Sequence, residues 1–441
     1  MSTQVVEDKQ SFAGIPAAPR TVEETGVGLD ILVQLSLKLL FFSGELSGSE
    51  LAARIGLSFL VIEPALEALK AQRQVEIASG AMLGGVSYRY RITDAGRARA
   101  ALFLEQNHYV GRAPVPLDQY REYMHAFAEV RRRGATREAV RGAFSHLVVP
   151  DRVLDQLGPA INAGHSMFVY GPPGNGKTVI SQAIRNLLND EIWIPHALEV
   201  EGSIIRLFDP VNHEELADES VAGLDDDVRH DRRWVRCRRP LVMVGGELTL
   251  DQLDLRYSPT LGFYRAPVQA VANGGVLVID DFGRQVCSPR ELLNRWIVPL
   301  ETHVDYLTLQ TGQKINFPFM TMVVFATNIK PAELVDEAFI RRIQYKIFAT
   351  SPTRAEFMQI FDNCCRERGI DFRPEVVQQL IDTYYKPRQL ELRGCHPRDL
   401  LEQSRSLAQY LELPFELSPS LLAAACASYF VDDLAPTTPA Y

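Results

Sequence analysis

The sequence predicts an α/β core: a parallel sheet flanked by helices, closed by an all-helical segment and preceded by a smaller domain of helices and two strands. Three observations carry this prediction. From about residue 135, short apolar runs ("MFVYG", "EIWIPHALEV", "PLVMVGG", "VLVIDDF", "MVVFATN", "IQYKIFAT") alternate with segments of helical periodicity, the pattern of strands joined by crossover helices. After "SPTRAEF" only helical patterns remain, to about residue 430. Before residue 105, three helical segments lead into two β-patterned runs and a returning helix.

Length and composition bound the reading. A chain of 441 residues exceeds one average core, and three domains are expected. The expected division is a flexible N-terminus over 1–24, a small domain over 25–105, a linker and neck helix over 106–134, the α/β domain over 135–350, a helical lid over 351–432 and a flexible tail over 433–441. Net charge is −9, which excludes whole-chain attraction to nucleic acid or anionic membrane and leaves only local binding. The six cysteines show no CxxC spacing, so neither a zinc knuckle nor a disulfide framework is expected. The most apolar early segment, "GLDILVQLSLKLLFFSG", is broken by Asp30, Gln34 and Lys38 and is no membrane span. The start "MSTQVVEDKQSF" has no basic-then-apolar leader pattern. The expectation is a cytoplasmic chain without membrane insertion.

In order along the chain, a helix is expected over 29–42 and a second in "SGSELAARIG", with Ser49 as its cap. A third follows in "EPALEALKAQ", with Pro64 near its start. "QVEIAS" and "VSYRYRIT" read as strands around the turn "GAMLGG", and "DAGRARAALFLEQ" returns as a helix. This order resembles a winged helix-turn-helix domain, and "YRITDAGRARA" is its most specific part. A stretch with two prolines, "GRAPVPLDQY", leads into the helical "REYMHAFAEVRRRG", read as a neck. No internal repeat of 20–50 residues is present.

"GPPGNGKT" lies between the strand "MFVY" and the helical "VISQAIRNLLND", the context of a phosphate-binding loop. Gly171, Pro172, Pro173, Gly174, Asn175 and Gly176 would form the loop that binds ATP, its glycines letting backbone amides close around the phosphates. Lys177 would add charge at the β and γ phosphates, and Thr178 would ligate Mg2+. Val276 to Ile279 read as a fully buried strand ending at Asp280 and Asp281 beside that loop. Asp280 is expected to hold magnesium, and Asp281 stands where a base or water-orienting residue belongs. Aspartate is one methylene shorter than the glutamate usual there, and positioning a lytic water is sensitive to shifts of about 1 Å. Slow turnover is one consequence; the plainer alternative is that Asp281 only caps the next segment.

Residues 140–430 further resemble the AAA+ superfamily. "VVFATN" is similar to its sensor 1 strand, which implies that Asn328 orients the lytic water or touches the γ phosphate. "DEAFIRRIQYKI" resembles the segment in which an arginine precedes the last core strand and reaches a neighbouring subunit's ATP. Arg342 is the first choice for that finger and Arg341 the second. "GCHPRDLLEQSRSLA" resembles a sensor 2 helix, with Arg398 reaching from the lid to the nucleotide. The segment before Val276 resembles the MoxR-like and bacterial enhancer-binding branches, where an inserted hairpin or loop often faces a central pore. The charged run "LDDDVRHDRRWVRCRRP" holds Arg229, Arg232, Arg233, Arg236, Arg238 and Arg239, either for contact with a polymer or partner subunit or as a self-paired insertion.

The resemblance implies an ATP hydrolase that assembles as a ring, a hexamer by preference, and remodels or assembles an unidentified protein partner in the manner of a chaperone. The small domain would recruit that partner. Its eight basic and eight acidic side chains over 25–105 cancel, and "LSFLVIEPALEAL" offers a DNA groove apolar groups and glutamates, which disfavours DNA. Arg89, Arg91, Arg97 and Arg99 keep an ATP-controlled DNA-binding regulator as the alternative. A hydrolysis-poor nucleotide switch is a third reading, resting on Asp281. No HExxH follows the lid, so an attached protease is not expected.

Overall fold

The structure is a computed structural model that describes residues 14–79, 85–130, 136–188, 190–216, 230–334 and 340–430. Six sequence expectations lie wholly or partly outside the described residues: most of the lead-in, the tail, the turn at 80–84, the end of the neck at 131–134, Arg229 with the acidic run before it, and 336–339. Contacts divide the chain into two compact units. The first comprises Met1–Gly134, Leu188–Ile279 and Arg284–Val324; the second comprises Ala135–Leu187, Asp280–Gly283 and Phe325–Tyr441. Among the described residues no helix is long and apolar enough to cross a membrane.

In the first unit, strand Glu45–Ser47 lies between helices Leu29–Ser43 and Gly48–Ile55, helix Phe59–Ala71 follows, the sheet is ordered Glu45–Ser47, Arg89–Ile92, Val75–Ser79, and helix Asp94–Gln106 comes after it. Leu32, Leu35, Leu51, Ile62, Leu66 and Tyr90 are buried in the shared core. Two local readings change. Ser47, not Ser49, caps the second helix: its hydroxyl accepts from the Glu50 amide while Glu50 accepts from the Ser47 amide, so both end donors are satisfied at once. Pro64 lies inside the third helix rather than near its start, because the helix begins at Phe59.

The neck helix runs over Leu117–Val130 and buries Tyr120 and Met124 against Trp193, Trp234 and Phe317. Residues 191–200 form two strands rather than one. Glu191–Pro195 pairs antiparallel with Trp234–Arg238, whereas Ala197–Val200 enters a mixed sheet ordered Arg256–Ser258, Phe263–Arg265, Ser203–Arg206, Ala197–Val200, Val115–Pro116. A hairpin of Val304–Thr308 with Lys314–Pro318 lies before the strand that begins at Met322. The arginine run is largely self-paired. Arg233 and Asp231 form an ion pair at 2.8 Å with both side chains almost fully buried. Arg236 pairs with Glu191 and Arg238 with Glu214. Buried Arg239 lies over the Phe127 ring and 3.7 Å from Asp190.

Strands Leu241–Val244 and Val276–Ile279 pair in parallel along four residues, and the Met322 amide donates to the Gly275 carbonyl beside them. In the second unit, Met167–Tyr170 pairs in parallel with Tyr345–Phe348, and the Gly171 amide donates to the Thr327 carbonyl on the other side. Helices Asp151–Ala163 and Lys177–Leu187 accompany these strands. The all-helical segment comprises Arg354–Glu367, Pro374–Leu380, a π turn Ile381–Tyr385, His396–Tyr410 and Pro419–Tyr429 around Phe357, Phe361, Leu400, Leu401 and Leu422. The α/β class, the parallel strands and the helical C-terminal segment are those the sequence predicts.

Candidate nucleotide-binding site

Strand Met167–Tyr170 delivers the chain into a loop that turns sharply and opens helix Lys177–Leu187. Gly171 has φ +150 and Gly174 φ +79; a Cβ on Gly171 would stand 2.3 Å from the Ala349 carbonyl oxygen, and one on Gly174 2.5 Å from Cys395 Sγ. Only glycine fits that backbone in that space. A strand, a glycine-rich loop and a helix N-terminus beside parallel strands form the P-loop NTPase arrangement.

Lys177 is buried, and its Nζ donates to the Gly171 carbonyl at 3.0 Å and the Pro172 carbonyl at 2.8 Å. Burial pushes its pKa below the ordinary lysine range, against Asp281 and Asp280, whose charges favour the ammonium. A phosphate in the loop offers this ammonium a charged partner.

The two aspartates have different surroundings. Thr178 donates its hydroxyl to Asp280 Oδ2 at 2.8 Å, so two hard oxygen donors stand together next to the loop. Asp280 Oδ1 accepts from the Asp281 amide at 3.0 Å. Asp281 has φ +47, a left-handed backbone that aspartate tolerates better than most residues, and its Oδ1 accepts from Asn328 Nδ2 at 3.0 Å. The strand before Asn328 is zipped to the turn after Asp281: the Phe282 amide donates to the Ala326 carbonyl at 2.7 Å, and the Thr327 hydroxyl to the Phe282 carbonyl at 2.7 Å. Asp281 does not cap the next helix, Pro289–Thr302, whose capping box is formed by Ser288 and Glu291.

These groups line a cavity of about 740 Å³, within the range of small-molecule sites. Pro173 to Thr178, Asp280, Asp281, Asn328 and Arg398 all face it, while Gly171 and Pro172 hold Lys177 through their carbonyls. Arg398, half exposed on helix His396–Tyr410, is ion-paired to Asp399 at 2.9 Å, and this hydrogen-bonded pairing raises its pKa. Asp399 also accepts from Tyr429 at 2.9 Å. Arg341 and Arg342 are not brought into this group: both are exposed in the turn before Tyr345–Phe348, outside the cavity lining.

Sequence reading missed one wall of the cavity. Leu147, Val148, Val149, Pro150 and Val153 line it, opposed by Ile360, Asn363, Cys364 and Glu367 of one helix. The signal was the apolar "LVVP" just before helix Asp151–Ala163; the helix residues give no signal beyond ordinary amphipathic spacing. The loop is also tied to the C-terminal segment. The Cys395 amide donates to the Gly174 carbonyl at 2.8 Å, the Gly394 amide to Asn175 Oδ1 at 3.4 Å, and Asn175 Nδ2 to the Ser351 hydroxyl at 3.2 Å. Oxygen donors, loop and apolar wall fit a magnesium–nucleoside triphosphate: Thr178 and Asp280 would hold the ion, and the apolar wall the base.

Residues 353–428 match a family described as a domain of unknown function (DUF8689). Over 53 residues the chain is 42% identical to a vesicle-fusing ATPase from Dictyostelium discoideum, a match covering 12% of this chain. The chain thus spans only 7% of the length of that curated relative. Among solved structures it is similar to the Thermotoga maritima RuvB Holliday junction branch migration motor, with 14% identity, TM-score 0.36, and coverage of 64% of this chain and 68% of that one. It is also similar to NtrX from Brucella abortus in complex with ADP, with 13% identity, TM-score 0.40, and coverage of 78% and 67%. The nucleotide reading rests on the geometry of the loop, the two aspartates and Asn328.

Proposed function

We propose that the chain is an AAA+ ATPase that binds ATP with Mg2+, hydrolyses it, and uses the cycle to remodel or assemble a protein partner. The observation that carries this reading is one constellation: Thr178 on Asp280, and Asn328 on Asp281, at the mouth of a glycine-rich loop that holds Lys177. Magnesium supplies charge neutralisation at the β and γ phosphates. Thr178 and Asp280 would hold the ion, Lys177 would exchange loop carbonyls for phosphate oxygen, and Asp281 would accept the proton of a water whose oxygen attacks the γ phosphorus as the bond to the bridging oxygen breaks and ADP leaves. Asn328 fixes the Asp281 carboxylate, and the left-handed backbone of Asp281 sets the direction of the shorter side chain, which favours hydrolysis over a passive switch.

Arg342, with Arg341 second, is the proposed finger for a neighbouring subunit's nucleotide in a ring, hexameric by preference, and Arg398 the proposed contact from the helical segment. Exposure at 341–342 is what a group acting on another subunit needs. Residues 25–105 are proposed as a winged-helix recruiting domain of the MoxR-like or enhancer-binding type. Its third helix exposes Leu60, at 73%, which suits a protein partner. Of Arg89, Arg91, Arg97 and Arg99, the side chains that favour DNA on this domain, the first two are ion-paired to Glu45, at 2.5 and 2.8 Å.

Titration with a fluorescent ATP analogue tests the site. Lys177→Ala is expected to abolish binding. Asp280→Asn is expected to weaken it about tenfold in the presence of Mg2+, the equivalent of about 1.4 kcal/mol, and to change little in EDTA. Affinity in the presence of Mg2+ that neither substitution changes would contradict the assignment.

A further inference from the structure

The mixed sheet of the first unit carries three arginines in one row. Arg256 is the antiparallel partner of Arg265, and Arg265 is the parallel partner of Arg206. Directly paired residues share a face, so the three side chains leave adjacent strands about 5 Å apart at their stems. All three are exposed. Further along the same face, Phe263 and Ile204 are buried against Tyr109, so the row stands at the open end of a face that is otherwise packed. Arg112 lies alongside: its charge and that of Arg206 add to burial in holding the His196 pKa at about 4. Arg232 lies close to Arg112, with Glu215 as the acidic neighbour.

Like charges directly opposite one another destabilise a sheet, and among the described residues no ion pair offsets them. Among the described residues the side chains of Arg206, Arg256 and Arg265 make no ion pair and no hydrogen bond. On strand Trp234–Arg238, which pairs with Glu191–Pro195 in a separate sheet, Arg236 and Arg238 by contrast each have a glutamate. The row also lacks the apolar centre of a protein interface: none of the large exposed apolar side chains belongs to 203–206, 256–258 or 263–265. Guanidinium groups with no large exposed apolar side chain on their strands match a ligand that offers charge and paired oxygens at regular intervals. We propose that Arg206, Arg265 and Arg256 form a contact surface for the phosphate backbone of nucleic acid, independent of base sequence. The surface does not rest on the ATPase reading, and it is separate from the ion-paired Arg89 and Arg91.

Anisotropy of a short labelled duplex DNA with the full chain, over about 50 to 200 mM salt, tests it. Wild type is expected to bind with steep salt dependence. The triple variant R206Q/R256Q/R265Q is expected to bind at least about tenfold more weakly at the low end, with the log–log salt slope reduced by about 2 to 3. The triple lysine variant keeps the slope, R89Q/R91Q behaves as wild type, and thermal unfolding of the glutamine variant is no earlier than that of wild type. No binding by wild type at low salt, or a wild-type slope in the glutamine variant, overturns the proposal. Tighter wild-type binding of polyglutamate than of duplex also overturns it, and assigns the row to an acidic protein.

Discussion

In the proposed mechanism, Asp281 and Asn328 decide whether bound ATP is hydrolysed. Asparagine tolerates the left-handed backbone that aspartate adopts at φ +47, so Asp281→Asn keeps the turn and removes only the base. A fall in kcat of about 100-fold or more, with nucleotide affinity retained, is expected in single-turnover and binding measurements. Asn328→Ala releases the Asp281 carboxylate, and kcat is expected to fall about tenfold with little change in KM, the pattern of a lost positioning contact. At His396, burial first and Arg393 second hold the pKa at about 4 beside Tyr385, 3.1 Å away. The unfolded chain regains the ordinary value near 6.5, so between these values it binds more protons than the folded one. Stability is therefore fully present above about pH 6.5 and is lost as pH falls toward 4, by up to about 3 kcal/mol. Denaturant midpoints at two pH values should show that loss in wild type and a smaller one in His396→Phe.

At the scale of elements, the phosphate loop and the aspartate strand were legible because each is contiguous and its flanks specify a strand and a helix. Glu45–Ser47 was not legible, since three residues carry no period and the strand exists only through pairing with Arg89–Ile92. The break at His196 was equally hidden: an apolar run reads as one strand until tertiary pairing sends its halves to different partners. The apolar wall of the cavity comes from residues more than 200 positions apart, Val148 and Ile360 among them, which no local pattern joins. Arg233 illustrates the same limit. Read as part of a charged run, it is instead a buried tie, donating to the Thr25 carbonyl at 2.9 Å and the Pro114 carbonyl at 3.2 Å while paired to Asp231. Arg233→Met leaves a buried carboxylate without a partner and is expected to destabilise the first unit by about 3 to 5 kcal/mol in equilibrium unfolding. R233M/D231L should recover part of that loss, the remainder reflecting two carbonyls without donors.

For the whole molecule, the central claim is that Asp281 supports hydrolysis and that Arg342 completes the site of a neighbouring copy. Both groups are exposed to a test that needs only the purified chain. The measurement is ATP turnover per chain as a function of protein concentration, for wild type, Lys177→Ala, Asp281→Asn, Arg342→Ala and a mixture of the last two. The expected result is a wild-type rate that rises with assembly, three inactive variants, and activity recovered in the mixture, where one copy supplies the aspartate and the other the arginine. Tight ATP binding with no turnover above the Lys177→Ala background would contradict it and make the chain a nucleotide switch.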